Sequence, residues 1–305
     1  MATRILVPLD GSSLAEQALA CAMTLAQRLP AELVLLRAIW IPPDLLEILD
    51  ESTVELNAIV TELEAEAHDY LGALVDQLTD TGLTTRHVVR RGPAAEAILD
   101  YVGQVDIDQI VMATHGYSGI KRWTHGSVAE RVLQAAHVPL LLVRVGEQDL
   151  TSDWQQAARC RRILVPLDGS SMAEQILPTV ISVAQAMSGE LILLRVPVAH
   201  VSGWIVGEWY LLAQDVLDAA EEDAQAYLSS VASRLEEQGL DVAMATSIGP
   251  VASCIVEYAE THQVDLIAMC THGRTGLARW ALGSVADRVL RAGGKPILLV
   301  RAHRE

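Results

Sequence analysis

The chain has 305 residues, of which 51% are hydrophobic and 20% are charged, and its formal net charge is −17. This length suggests two domains with a core each, and the negative charge argues against a nucleic-acid partner, because that binding relies on Lys and Arg. The sequence contains no run of about 18 uncharged apolar residues, which argues against a membrane span. It also begins with a strand pattern rather than a signal peptide, which predicts a cytoplasmic location. Its four widely spaced cysteines fit neither a disulfide framework nor a zinc site.

The first strand-like run recurs later in the chain. The sequence ILVPLDGSS of residues 5–13 returns unchanged at residues 163–171, and a glycine-rich loop at residues 113–127 has a counterpart at residues 270–284. A period of this length is too long for a solenoid repeat and indicates a duplicated domain. We therefore predict a domain over residues 1–146, a linker over residues 147–160 and a second domain over residues 161–305.

In the first copy, strand-like and helix-like segments alternate. Apolar runs predict five strands, at residues 3–9, 32–38, 83–90, 108–113 and 139–145. Helical periodicity predicts helices from Ser13 to about Leu29, from about Leu56 to Leu78, from Pro93 to about Val102 and from Ser127 to about Ala136. Capping boxes at Ser13–Glu16 and Ser127–Glu130 are expected to start two of these helices.

The second copy is predicted to repeat this order. Its strands are expected near residues 162–168, 190–196, 240–247, 264–270 and 296–302. Alternating strands and helices imply an α/β fold, with right-handed crossovers and a doubly wound parallel sheet in each domain. Such sheets bind ligands outside the carboxyl ends of their strands, where the strand order reverses.

Two loops of each copy are expected to meet at that edge. The first strand ends at Asp10, and the fourth leads into the glycine loop, where Gly116 and Gly119 would allow a ligand to approach the backbone closely. The Gly126-Ser127 pair would present free N–H groups at a helix N-terminus, which favours an anion. The loop matches neither the P-loop nor the GxGxxG pattern.

Three motifs occur in the same order in both halves of the chain: the ILVPLDGSS opening, the THGxxG loop that ends in GSVA, and the final PLLLV or PILLV strand. On these motifs, both halves resemble the universal stress protein family. The resemblance implies a tandem protein with two Rossmann-like, five-stranded parallel sheets in the order 3-2-1-4-5, paired through their last strands. It also implies a stress-response regulatory protein that binds ATP, or AMP or ADP, with or without Mg²⁺.

Carried over residue by residue, the resemblance implies two adenine-nucleotide sites. In the first domain the implied binding residues are Pro8, Leu9, Asp10, Ala38, Met112, Ala113, His115, Gly116, Gly119, Gly126, Ser127 and Val128. In the second they are Pro166, Leu167, Asp168, Val196, Met269, Cys270, His272, Gly273, Arg274, Gly276, Gly283, Ser284 and Val285. The family's loop pattern begins with glycine where this chain has Ala113 and Cys270. We therefore expect two unequal sites, of which the first is the more favourable.

Two other functions remain open at this point. One is a nucleotide-free interaction module, in which the duplication forms an internal pseudo-dimer and an unknown protein binds at the rim; a homodimer is a further possibility. The other is a slow ATPase, which is less favoured than a non-enzymatic protein because the sequence shows no evident general base, metal cluster or P-loop lysine. The loop residues His115 and His272 have no paired nucleophile, and Cys270 is expected to be buried and inert.

Overall fold

The computed structural model describes residues 3–41, 53–114, 126–144, 161–197, 209–271 and 282–302. The chain divides into two compact units, Met1–Ala158 and Arg159–Glu305, called unit 1 and unit 2 below. The linker predicted at residues 147–160 lies outside the described residues, so its bounds stay a prediction.

In the described part of unit 1, five strands alternate with four helices. These are β1 (Thr3–Pro8), α1 (Ser13–Arg28), β2 (Ala31–Ile39), α2 (Thr53–Asp80), β3 (Thr84–Arg91), α3 (Ala94–Gln104), β4 (Gln109–Ala113), α4 (Ser127–Ala135) and β5 (Leu140–Val143). All neighbouring strands pair in parallel, in the order β3-β2-β1-β4-β5. This confirms the predicted doubly wound sheet, whose strand order reverses between β1 and β4.

Unit 2 repeats the sheet of unit 1. Its described elements are β6 (Arg162–Pro166), α5 (Ser171–Glu174), α6 (Leu177–Met187), β7 (Glu190–Arg195), α7 (Trp209–Glu236), β8 (Asp241–Thr246), α8 (Val251–Thr261), β9 (Leu266–Cys270), α9 (Ser284–Ala292) and β10 (Ile297–Val300). Its strands pair in parallel in the order β8-β7-β6-β9-β10, which corresponds to the order 3-2-1-4-5.

The continuous apolar runs of the sequence form the buried centre of each sheet. Ile5, Leu6 and Val7 of β1 are fully buried, as are their counterparts in β6. A strand buried on both faces needs apolar residues at successive positions, because helices cover the two sides of a parallel sheet. The predicted apolar face of α2 is buried at Leu71 and Leu78. None of the helices in the described ranges is long and apolar enough to cross a membrane.

Both predicted capping boxes are wrong by one residue. Helix α1 is capped by Ser12, whose Oγ accepts a hydrogen bond from the amide of Ala15 at 3.1 Å. Helix α4 has Gly126 as its N-cap, so Ser127 is the first helical residue and no side chain caps this helix. Glu16 instead accepts a hydrogen bond from the phenol of Tyr70.

The first helix of unit 2 departs from the repeat. The single helix α1 of unit 1 corresponds to two helices in unit 2, and Pro178 lies in the first turn of the second one, α6. Proline lacks an N–H donor, and its ring would clash with the carbonyl of Glu174 in a continuous helix. The break between α5 and α6 follows from this one residue, which stands where unit 1 has Ala20.

Candidate functional site

A cleft of about 300 Å³ opens in unit 1 at the carboxyl ends of β1, β2 and β4. Its lining includes every predicted site residue of unit 1 that the structure describes: Pro8, Leu9, Asp10, Ala38, Met112, Ala113, Gly126, Ser127 and Val128. The other three predicted residues, His115, Gly116 and Gly119, lie outside the described residues. Three strands and one helix therefore bring distant parts of the sequence to one cleft.

Six further residues line the cleft without having been predicted: Ala15, Leu36, Ala94, Ile98, Thr114 and Ala129. Leu36 shares a face of β2 with Ala38, because side chains two residues apart on a strand point the same way. Strand alternation could therefore have identified Leu36. Ala94 and Ile98 come from helix α3, for which the sequence motifs gave no signal.

The carboxylate of Asp10 is held by the turn that starts helix α1. Asp10 Oδ1 accepts hydrogen bonds from the amide of Ser12 at 2.9 Å and from its hydroxyl at 2.5 Å. Gly11 allows this turn because its φ is +86°, a conformation that residues with a Cβ rarely adopt. Ser12 thus caps the helix and orients Asp10 at the same time.

Unit 2 contains the same turn. Asp168 Oδ1 accepts from the amide and the hydroxyl of Ser170, at 2.9 and 2.6 Å, and Ser170 Oγ accepts from the amide of Ala173 at 3.2 Å. Gly169 again has a positive φ, of +81°. Two copies of one carboxylate geometry therefore lie at the ends of β1 and β6.

The first turn of helix α4 forms the opposite wall of the cleft. The amide of Gly126 donates to the carbonyl of Thr114 at 2.8 Å, so it is not one of the free donors that the sequence suggested. The amides of Ser127, Val128 and Ala129 are first-turn donors, which have no acceptor within an α-helix. Together with the positive end of the helix dipole, these amides favour an anion.

The remaining walls of the cleft are apolar. Leu36, Ala38, Ile98 and Met112 contribute aliphatic and thioether surface, and Asp10 is the only ionisable side chain among the described residues that line it. A cleft of this kind suits a ligand with a flat apolar part and an anionic part.

The predicted residues of unit 2 occupy equivalent positions in its sheet. Three of them lie at the end of the first strand of the unit: Pro166 ends β6, and Leu167 and Asp168 follow it. Val196 follows β7, and Met269 and Cys270 end β9. The start of α9 contains the last three, Gly283, Ser284 and Val285. The amide of Gly283 donates to the carbonyl of Thr271 at 2.7 Å, as in unit 1. His272, Gly273, Arg274 and Gly276 lie outside the described residues.

Cys270 makes the second site different from the first. Its thiol is buried and donates to the carbonyl of Ala173 at 3.6 Å. Ala173 is the counterpart of Ala15, which lines the cleft of unit 1 beside Ala113. Burial, opposed by a hydrogen bond with the backbone of Ile176 and assisted by the charge of Asp168, raises the pKa of the thiol to about 12. The thiol therefore stays neutral and takes up space between β9 and α5.

The chain is similar to known proteins in both units. A family model described as the universal stress protein family matches residues 1–144 and residues 159–301. The universal stress protein MJ0531 of Methanocaldococcus jannaschii is 33% identical over 145 residues, which cover 46% of this chain and 82% of that protein. A universal stress protein of Mycolicibacterium smegmatis is 25% identical over 232 residues, or 75% of this chain and 73% of that protein.

A solved structure resembles the chain over nearly its whole length. The crystal structure of a universal stress protein from Archaeoglobus fulgidus DSM 4304 has a TM-score of 0.69. The match covers 98% of this chain and 96% of the other, at 18% sequence identity. At that identity the likeness concerns the fold.

Proposed function

Because this chain belongs to the universal stress protein family, we propose that it is a stress-response regulatory protein and that the cleft of unit 1 binds ATP or a related adenine nucleotide. One observation carries the proposal. A single cleft combines an apolar wall, the oriented carboxylate of Asp10 and the uncapped first turn of helix α4.

Each part of the cleft suits one part of a nucleotide. The adenine would pack against Leu36, Ala38 and Met112, and Asp10 would accept hydrogen bonds from the ribose hydroxyls or the adenine amine. The phosphates would bind at the first-turn amides that begin with Ser127. The net charge of −17 repels an anionic ligand at long range. Such a ligand must therefore be held by donors that contact it directly, as these amides would.

Mg²⁺ would enter such a site with the phosphates. Among the described residues, no group of three His, Cys, Asp or Glu side chains is arranged to hold a metal ion. Phosphate oxygens and water are common Mg²⁺ ligands, so a dedicated protein cluster is not required. ADP and AMP would share the base and ribose contacts with ATP.

The second site is proposed to bind more weakly. Cys270 replaces the smaller Ala113, and its sulfur contacts the backbone at Ala173. A ligand in unit 2 would have to displace this side chain or bind farther out. The first unit is therefore expected to dominate nucleotide binding.

Equilibrium dialysis of nucleotide-stripped protein tests the proposal, with ATP, AMP and cyclic AMP as ligands. The Ala38→Trp variant should lose the high-affinity site, because the indole would fill much of the cleft. Val196→Trp, at the equivalent position of unit 2, is the matched control and should keep that site. If the unaltered protein binds none of the three ligands at millimolar concentration, the proposal fails and the nucleotide-free interaction module replaces it.

A further inference from the structure

Four polar side chains recur in both units at the same structural positions. They are Glu16, Arg37, Glu66 and Tyr70 in unit 1, and Glu174, Arg195, Asp223 and Tyr227 in unit 2, displaced by 157 or 158 residues. In each unit they come from the first helix, the second strand and the long helix. We call each set the arginine cluster. Its recurrence is not explained by the hydrophobic core.

The arginine lies over the tyrosine ring in both clusters. The guanidinium carbon of Arg37 is 5.2 Å from the ring centroid of Tyr70, and that of Arg195 is 4.8 Å from the ring of Tyr227. Each tyrosine hydroxyl donates to a carboxylate of the first helix, Glu16 or Glu174, at 2.9 Å. The same cation–π contact and the same hydrogen bond thus occur twice.

Both arginines are largely buried, whereas their ion-pair partners are not. The side chains of Arg37 and Arg195 are 18% and 11% exposed, while those of Glu66 and Asp223 are 65% and 73% exposed. The Arg195 guanidinium also donates to the backbone carbonyl of Asp223. Burying a guanidinium costs free energy unless nearby groups pair with its charge. The burial of both arginines beside exposed partners therefore indicates a specific role for the guanidinium.

In unit 1, the guanidinium of Arg37 lies against the turn that carries Asp10. A Cβ added to Gly11 would lie 3.6 Å from the guanidinium carbon of Arg37, so the charged group packs against this glycine. Leu36 and Ala38 line the cleft, and Arg37 between them points to the other face of the sheet. The turn therefore has the cleft on one side and the arginine on the other.

The charges of Asp10 and Asp168 act on the tyrosines of the arginine clusters. Burial and the hydrogen bond to Glu16 raise the pKa of Tyr70, and the negative charge of Asp10 raises it further, while Arg37 opposes the shift. Asp168 and Arg195 have the corresponding effects on the pKa of Tyr227. The charges of the Asp and of the Arg thus act on the tyrosine with opposite signs in both units.

We propose that Arg37 is a positioning residue, which holds the Asp10-Gly11-Ser12 turn in the conformation that presents Asp10 to the base or sugar of the ligand. Arg195 performs this role for Asp168. The inference rests on the proposed nucleotide site, because it concerns how that site is shaped. It differs from a direct attraction between arginine and phosphate, since Arg37 lies behind the turn and not in the cleft.

Amide hydrogen exchange of the ligand-free chain tests the positioning itself. The Ser12 amide donates to Asp10 Oδ1, so its exchange rate reports the turn. In Arg37→Gln this rate should rise about tenfold, the change that corresponds to losing one net hydrogen bond. Core amides of α2 near the fully buried Leu78, two turns away from Tyr70, should stay unchanged. The matched control Glu66→Gln, which alters an exposed partner of Arg37 but not its contact with Gly11, should change the rate less than twofold.

Ligand binding then separates positioning from charge. Arg37→Gln should weaken the binding of adenosine and of ATP by the same factor of about ten, because both ligands use Asp10. Arg37→Lys keeps the charge but not the flat guanidinium, so it should show the same pattern; it also serves if the Gln variant does not fold. Arg195→Gln should leave the Ser12 amide unaffected.

Two results would overturn the inference. One is an unchanged Ser12 exchange rate in both Arg37 variants. The other is a loss of affinity that is confined to ATP, which would assign Arg37 to the phosphates. If the unaltered protein binds no nucleotide, the proposed function fails, but the exchange measurement still decides whether Arg37 holds the turn.

Discussion

The amide of Gly126 donates a hydrogen bond to the carbonyl of Thr114 across 2.8 Å, and Gly283 and Thr271 repeat this contact at 2.7 Å. Each bond ties the end of the fourth strand of a unit to the residue that caps the next helix. This backbone hydrogen bond helps to hold the start of helix α4 across the cleft from Asp10. The position of its first-turn amides does not depend on a capping side chain.

Replacing Gly126 with proline should weaken this arrangement. Its φ of −50° and ψ of 136° suit proline, so the main change is the loss of the N–H donor. We expect the free energy of unfolding to fall by about 1 kcal/mol, together with weaker binding of ATP. Urea unfolding and dialysis measure both quantities. Gly126→Ala keeps the donor and is the matched control; equal losses in the two variants would contradict the role of the hydrogen bond.

Ser12, rather than Ser13, is expected to stabilise helix α1. Ser12→Ala removes the cap on Ala15 and the hydroxyl that donates to Asp10, and it should cost about 0.5–2 kcal/mol. Ser13→Ala changes the first helical residue and should stay within about 0.5 kcal/mol. Urea denaturation of the two variants compares them directly. A larger effect at Ser13 would restore the capping box that the sequence suggested.

A histidine pair should make unit 1 less stable in mild acid. His68 Nδ1 and His87 Nε2 are 3.1 Å apart, so one ring must be neutral to accept the hydrogen bond. Burial lowers the pKa of His87, and the charge of His68 lowers it further. Since the unfolded chain binds the proton more readily, stability is present above the unfolded pKa of about 6.5 and is lost as the pH falls below it.

Thermal unfolding at pH 7.5 and pH 5.5 measures this effect. The melting temperature of the unaltered protein should fall more between the two conditions than that of His87→Gln, which keeps His68 but has no titrating ring at position 87. Carboxylates such as Glu64 titrate in both proteins and cancel in the comparison. Identical losses would show that the pair does not contribute.

Cys270 should react slowly with alkylating agents. Its pKa of about 12 leaves very little thiolate at pH 8, and thiolate is the reactive form. Iodoacetamide should modify Cys270 at least about 100-fold more slowly in the folded protein than in urea, because unfolding restores an ordinary thiol pKa. Peptide mass spectrometry follows this residue separately from the other cysteines. Comparable rates in the two states would mean that the thiol is accessible.

The sequence predicted the sheet of each unit well, for a physical reason. Strands buried on both faces require unbroken apolar runs such as Ile5-Leu6-Val7, and the exact repeat assigned the same role to residues 163–165. The details of the helices were less predictable. Ser12 and Ser13 both satisfy the rule for a cap, and only the turn around Gly11 decides between them. The break at Pro178 was missed because the repeat suggested a helix like that of unit 1.

The sequence identified the site residues that belong to repeated motifs and missed those that do not. Asp10 and Val128 belong to repeated motifs, and the structure places them in one cleft. Ile98 lies in a helix without a motif, and its contribution depends on how α3 packs against the sheet. The arginine cluster joins residues as far apart as Glu16 and Tyr70, and a single sequence does not show which distant charges meet.

The most direct test of the central claim is the nucleotide content of the protein as purified. Heat-denatured supernatants of the unaltered protein, Ala38→Trp and Val196→Trp should be compared by absorbance and chromatography. We predict that an adenine nucleotide accompanies the unaltered protein and Val196→Trp, and that it is absent from Ala38→Trp. An equal amount of nucleotide in all three proteins would contradict the assignment of the unit 1 cleft as the binding site.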